Sequence, residues 1–498
     1  MESSAQLSYH VENMALGGGG TAYSTGSEAL FINPANLFIR EKNSNISISL
    51  LQGSTFLHGI NSTHGLQNRF NELREVLKPY DPDFGNNRLS ITVEEREEIV
   101  HRNFRDNFTN RSFTAQSEFH WFGIKWHGEE RAYALSLRSR IGNRFTLGRG
   151  LFSNEIVENN GKNIIDRSFQ QIYQVQHELS FGYSESFAFL NGIQPKSSEF
   201  FIGIAPKLVI PGSGLNVNAT NQYLYQPETS EWIHETEYYQ LSTGALTDQN
   251  RGSIRTFTDE PDQPFRLNQA SILDLLKPTG IGLGLDIGIT YLITLGDDLS
   301  LLRGEHSVIN QSIRFSLSVT DIGATIVNRK PSEITTGLQS AESNSTGNVT
   351  DFIYHGAPNE HYFFLHQLGV EIPQQAGSVN DNQLFTMLPA SIQTGALFHY
   401  NWFKLMGDAS YSMVDSAYRQ SGLVTYLGTE IKPFYFLPLR AGTRFGRNLP
   451  PLFSFGTGIE TNVFDINAAF MVQTGDLSDP LFSGDVVGMS LLGIRFHL

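Results

Sequence analysis

The sequence predicts an all-β chain that closes as a transmembrane antiparallel β-barrel. Three observations carry that expectation: long stretches of period-2 alternation, connections that alternate between short and long, and an amphipathic strand at the C-terminus. Composition sets the frame. The chain has 498 residues and a net charge of −15, with 17% charged and 12% aromatic residues, 46 glycines and no cysteine. An acidic balance of this size argues against a nucleic-acid partner. No stretch approaches the roughly 20 consecutive apolar residues that a spanning helix needs. A barrel requires only alternate residues to be apolar, so its mean hydropathy can look soluble. The lack of cysteine excludes disulfides and thiolate chemistry and suits an oxidising compartment.

The clearest alternation runs over Gly280–Thr294. There Ile281, Leu283, Leu285, Ile287, Ile289, Tyr291 and Ile293 occupy one face, and Gly282, Gly284, Asp286, Gly288 and Thr290 the other. Residues 310–320 set Ile313, Phe315, Leu317 and Val319 against Ser312, Arg314, Ser316 and Ser318. Residues 200–210 set Phe200, Ile202, Ile204 and Leu208 against Phe201, Gly203, Ala205 and Lys207. Comparable runs begin near Asn45, Thr114, Arg131, Tyr173, Pro389, Trp402, Gly422, Leu437, Phe453, Phe464 and Val486, which with the first three makes 14 strands. A count of 16 follows if residues 333–338 and 362–372 are promoted to strands; 14 is preferred. By inward parity Asp286 and Arg314 both face the lumen on neighbouring strands, where they are expected to pair.

Connection lengths test the count independently, because outer-membrane barrels join strands by short periplasmic turns and longer exposed loops. With a first strand rising near Asn45, the exposed loops are 58–113, 142–172, 211–279, 321–388, 415–421, 447–452 and 474–485. The turns are 128–130, 188–199, 295–309, 400–402, 433–436 and 462–464. A soluble sandwich has no reason to obey this parity. Trp121 with Trp126, and Tyr400 with Trp402, suit the interfacial aromatic girdles. In the first loop Thr92 and Glu95 form a capping box ahead of Val93, Glu97, Val100 and Phe104, so a helical excursion is expected within 58–113.

The last strand places Val486, Leu492, Ile494, Phe496 and Leu498 on one face and Met489, Leu491, Gly493, Arg495 and His497 on the other. Its ending resembles the C-terminal insertion signal of outer-membrane barrels, with Gly493, Phe496 and Leu498 as its elements. The logic is a final strand that the assembly machinery can capture by edge pairing.

The N-terminal segment, residues 1–43, does not alternate. Gly17, Gly18, Gly19 and Gly20 form a glycine run, and Asn33, Pro34 and Ala35 follow. A phosphate-binding reading of the run lacks the flanking strand, helix and lysine. The segment resembles the N-terminal hatch of the FadL-type outer-membrane transporter superfamily and of the related PorV-type and uncharacterised Bacteroidetes barrels. The blocks 284–288, 319–323, 438–445 and 454–459 are similar to the latter group. The resemblance implies a 14-strand barrel over 44–498 with an N-terminal plug in the lumen. Gly17 to Gly20 would then form a tight bend and Asn33-Pro34-Ala35 the hatch element.

Two functions follow as expectations. One is a plugged transporter for small hydrophobic molecules. The other is a structural or accessory subunit of an outer-membrane secretion or surface-assembly complex, like the PorV-type proteins. Lipid, the barrel-assembly machinery, and a hydrophobic ligand or a protein at the exposed loops are the expected partners. No enzyme, cofactor or metal is expected: the sequence has no Gly-x-Ser-x-Gly or His-Glu-x-x-His motif, and His355, His361 and His366 read as loop histidines. Met1 to Leu16 lacks the basic start and apolar core of a signal peptide, so a bacterial outer-membrane protein with its signal removed is expected.

Overall fold

The computed structural model describes residues 10–58, 104, 109–128, 131–151, 155–159, 161–186, 198–229, 231–247, 272–295, 308–328, 331–335, 339–343, 383–419, 421–446, 451–473 and 485–498. Fourteen strands form the barrel. They are β1 (Ile46–His58), β2 (Asn110–His127), β3 (Arg131–Gly148), β4 (Phe169–Ser186), β5 (Ser198–Gln226), β6 (Gly280–Thr294) and β7 (Gln311–Val327). The second half supplies β8 (Ser391–Tyr400), β9 (Phe403–Ser412), β10 (Gly422–Phe434), β11 (Leu437–Gly446), β12 (Leu452–Glu460), β13 (Phe464–Gln473) and β14 (Asp485–His497). Each pairs antiparallel with its neighbours in sequence, and β1 pairs with β14, so no edge is left open. Closure matters because lipid offers no partner to an unpaired backbone group.

Alternation along each strand separates two environments. On β6, Leu283 is 71% exposed and Ile287 also faces out, whereas Asp286 and Thr290 are fully buried inside. Phe315 and Leu317 on β7, Leu405 on β9, Leu427 on β10 and Phe470 on β13 continue the outward apolar band. A band of this extent has no place in water and is the surface a bilayer covers. The rim with short turns carries exposed aromatics, including Tyr400, Trp402 and Tyr435, and Trp126 stacks on Tyr133 at 5.5 Å. Trp121 instead sits at a bulge within β2, where its indole N–H donates to Ser139 Oγ at 2.8 Å.

The preferred count of 14 holds, and two other expectations change. Ser332–Thr335 is a strand but lies outside the barrel, which has 14 members; residues 362–372 and the helical part of 58–113 fall outside the described residues. Met489 faces outward at 52% exposure, against the inward face expected for it, because the β13–β14 register shifts between Asn467 and Ala469 and reverses the alternation. Residues 211–279 are not simply a loop. β5 runs 29 residues, and its part beyond Gly214 pairs with Glu231–Thr243. Lys162–Asp166, Ser332–Thr335 and Gln339–Ser343 add to that pair, giving a sheet that projects past the barrel on the long-loop side.

Candidate functional site

Eight-stranded barrels fill their bore with side chains, and 16-stranded ones leave an aqueous channel, so 14 strands enclose a lumen that something must fill or that stays open. Residues 10–41 run through it. They fold as a short helix, Val11–Ala15, and two 3-10 turns, Ser27–Phe31 and Pro34–Phe38. Around the circuit the segment touches the wall through Ser49, Lys125, Arg138, Ser184, Thr290, Ser318 and Asp408, and through Glu430, Arg440, Asn467 and Arg495.

The glycine run turns the chain within the lumen. Gly17 and Gly18 have φ of +90° and +101°, values that side-chain-bearing residues rarely adopt. A Cβ on Gly17 would stand 2.6 Å from the Thr443 carbonyl oxygen. The bend then aims the N–H groups of Gly20 and Thr21 at one carboxylate oxygen of Asp408 on β9, at 2.5 and 3.2 Å. The anion-cradling capacity of a glycine turn is thus met by the barrel's own wall.

Asn33-Pro34-Ala35 docks on the wall formed by β4, β5 and β6. Asn33 caps the turn by accepting from Ala35 N at 3.2 Å, and its Nδ2 donates to Thr290 Oγ1 at 2.9 Å and to the Thr21 carbonyl at 3.1 Å. Asn36 Nδ2 bonds the same carbonyl at 2.8 Å, so the bend and the tripeptide are tied together. Ser184 Oγ donates to the Ala35 carbonyl at 2.8 Å. The wall makes room with glycines: a Cβ at Gly203 would lie 2.2 Å from Ala35 N, and one at Gly288 would overlap Asn33 Oδ1. Leu30 fits over Gly182 beside Ala132, Ala134 and Ala205.

Ion pairs fasten the segment at the short-turn end. Glu28 meets Arg495 at 3.2 Å, and Glu41 meets Arg314 at 3.2 Å and Lys404 at 2.9 Å. Lys42 pairs with Asp465. Burial pushes the Glu28 carboxyl up, but Arg495 and His10, with the Glu28 and Gly26 N–H groups, outweigh it and hold it at about 2. Burial acts on Glu41 in the same way, and Lys404 and Arg314 hold it well below the usual carboxylate range. Depressed carboxyls stabilise docking fully above their free value and lose that contribution as pH falls through the depressed one. A nitroxide on a cysteine at position 27 is therefore expected to stay immobile from pH 7 down to about 4.5 and to gain mobility progressively towards about 2. Electron paramagnetic resonance across that range checks it, and mobility already rising near pH 6 would contradict it.

The expected Asp286–Arg314 pair does not form. Both residues are buried and face the lumen, but Asp286 takes Lys207 at 2.9 Å and Arg314 takes Glu41. Register is the reason: Asp286 lies opposite Ala205, a diagonal neighbour of Lys207, whereas Arg314 lies opposite Leu292, far along β6. Asp286 instead joins a buried network of Lys207, Asp321, Arg140, Glu178 and Arg138 on the long-loop side of the segment. Arg419 enters it from the connection 413–421, at 2.7 Å from Asp321. Ala417, Tyr418 and Arg419 of that connection are buried: Gln116 Nε2 donates to the Ala417 carbonyl at 3.0 Å, and the Arg140 guanidinium lies 4.9 Å over the Tyr418 ring. A short exposed-side loop thus folds into the bore as a second obstruction, which sequence alternation could not show.

A cavity lies at each end. One of 420 Å³ at the long-loop end is lined by Tyr173, Val175, Leu215, Leu241, Val327 and Leu388 among others. One of 510 Å³ at the short-turn end is polar and rich in Lys and Arg. Among the described residues one cluster has metal-ligand composition: His10, Glu12 and Glu28 lie within 4.8 Å of one another, and Arg495 already neutralises both carboxylates.

A family model described as DUF5723, a family of unknown function, matches residues 56–439. No curated protein matches the chain. Among solved structures the chain is similar to the Pseudomonas putida toluene transporter TodX, at 10% identity and a TM-score of 0.41 over 99% of both chains. It is similar to the Ralstonia pickettii toluene transporter TbuX at 12% identity and a TM-score of 0.42, again over 99% of both. A Pseudomonas aeruginosa FadL homologue is similar at 10% identity and a TM-score of 0.40, over 99% of this chain and 97% of that one.

Proposed function

This chain belongs to the DUF5723 family of unknown function, and we propose that it is a bacterial outer-membrane transport barrel for a small hydrophobic molecule, with the N-terminal segment as its hatch. The observation that supports this reading most is the pair of cavities separated by residues 10–41, the outer one lined mainly by apolar side chains together with polar ones such as Gln174, Asn216 and Asp415. The segment is held by apolar packing and by hydrogen bonds and ion pairs, and the polar contacts that border the cavities can be exchanged for contacts with water. The short-turn end, with its aromatic rim, would face the periplasm, and Gly493, Phe496 and Leu498 would form the assembly signal.

Because the chain has no cysteine, a single engineered disulfide tests the hatch directly. Ser27 Oγ on the segment and Ser49 Oγ on β1 are 3.2 Å apart, close to what an S–S bond of about 2.05 Å needs. When oxidised, the S27C/S49C variant is expected to slow entry of the hydrophobic dye N-phenyl-naphthylamine into intact cells, whose lipopolysaccharide-covered outer membrane itself excludes the dye, and to recover it on reduction. Undiminished uptake with the bond fully formed would remove hatch movement from the mechanism.

A second reading, an accessory subunit of a secretion or surface-assembly complex, is favoured by the projecting sheet at the exposed end, which offers a partner a strand surface. Indifference to the disulfide, with a stoichiometric protein retained on purification in mild detergent, would support that role instead.

A further inference from the structure

We propose that the 510 Å³ cavity at the short-turn end is a binding site for an oxyanion, a carboxylate or phosphate group, held between Arg40 of the N-terminal segment and Lys125 of β2. Seven Lys and Arg side chains line this cavity against four carboxylates. The carboxylates are already engaged. Glu12 meets Arg495 at 3.5 Å, Glu41 meets Arg314 and Lys404, Glu460 meets Lys432 at 2.7 Å as well as Arg440, and Asp465 meets Lys42 and His497.

Two cations remain outside these pairs among the described residues. Arg40 is 8% exposed, and its Nη2 is buried without a hydrogen-bond partner. Lys125 is 7% exposed, and its Nζ donates only to the carbonyls of Thr25 and Ile39, at 2.5 and 3.0 Å. The second carbonyl belongs to the residue before Arg40, and both side chains line the cavity at the seam between segment and wall. Burying a cation without a counter-charge is costly. A planar guanidinium and an ammonium on the wall of one 510 Å³ cavity are the donor set that a carboxylate or phosphate satisfies. Such a ligand would touch the segment and the wall at once and so favour the docked state by mass action.

The inference does not depend on transport, because binding is measured without flux. The full-length protein in a neutral detergent is titrated calorimetrically with inorganic phosphate, with acetate and with decanoate. Saturable binding is expected for at least one of them, weakened about ten-fold or more by Arg40→Gln and by Lys125→Gln. Lys277→Gln, at an exposed lysine remote from the cavity, is expected to leave it unchanged. Arg40→Lys keeps the cation and is expected to retain binding, which separates loss of charge from loss of fold. Phosphate or acetate binding identifies a free anion as the ligand, and decanoate binding alone identifies the head of an amphiphile. No saturable binding of any of the three up to about 10 mM, or binding that both Gln variants leave intact, overturns the site.

Discussion

Deleting residues 496–498 is expected to abolish assembly: the truncated chain should fail to show heat-modifiable migration on gels and should be missing from the membrane fraction. These residues close the barrel. Leu498 N donates to the Ile46 carbonyl at 2.8 Å, and the Leu498 carbonyl accepts from Ile46 N and Asn45 N at 3.0 and 3.1 Å. Phe496 stands opposite Ile48 on one side and Phe464 on the other, facing outward. His497 faces inward and bonds Asp465, which also holds Lys42 of the segment. Truncation therefore opens an edge at the seam, strips an apolar side chain from the lipid face and loosens the segment together. Each backbone group left unpaired in hydrocarbon costs several kcal/mol. The milder Phe496→Ala keeps the backbone pairing and removes only the outward side chain, so partial assembly is expected there. A truncated protein that runs as a normal folded barrel would show that the seam closes without its final pairs.

What could be read in the sequence follows from what lipid enforces. All 14 strands appear as alternation, with starts within four residues of those observed, because inside the bilayer one face must be apolar and the other must suit a polar bore. The glycine bend was legible for a local reason, since consecutive glycines mark left-handed backbone and Gly17 and Gly18 adopt it. Its partner Asp408 was not, being 388 residues from Gly20 and one inward carboxylate among many.

Parity assigns a face but not a register, so Asp286 and Arg314 were placed inside correctly and paired wrongly. Bulges defeat parity itself. Leu51 has φ of +45°, Trp121 sits at a register shift, and the shift opposite Gly493 turns Met489 outward. Beyond the bilayer the constraint lapses. The far half of β5 reads Asn216-Val217-Asn218-Ala219-Thr220-Asn221, too polar and too uneven to declare a strand, yet it is one because Glu231–Thr243 pairs with it. The inserted loop follows the same logic: Ala417, Tyr418 and Arg419 have no periodicity, and only the fold brings Arg419 to Asp321.

That last contact marks where a single substitution is expected to do most harm to the assembled protein. Asp321 meets Lys207, Arg140 and Arg419, and it is fully buried. The network around it has four cations, Lys207, Arg138, Arg140 and Arg419, against four carboxylates, Glu118, Glu178, Asp286 and Asp321. Asp321→Ala leaves one positive charge in excess where water does not reach, a change that costs about 3–5 kcal/mol when one partner of a buried pair is removed. The φ of +59° adds a further penalty for alanine, and Asp321→Asn isolates the charge, since asparagine tolerates that region. Most of the loss should persist in the Asn variant. Adding Arg419→Met to it restores neutrality and should recover part of the stability, the signature of coupled neighbours. Arg419 also anchors the inserted loop through the Pro389 carbonyl at 2.6 Å, so the double variant separates two properties. Stability read by thermal unfolding in detergent should rise relative to Asp321→Asn, while conductance across a planar bilayer should increase as the loop leaves the bore. Wild-type unfolding in Asp321→Asn and a silent bilayer in the double variant would mean that the network neither holds the barrel together nor keeps its outer end shut.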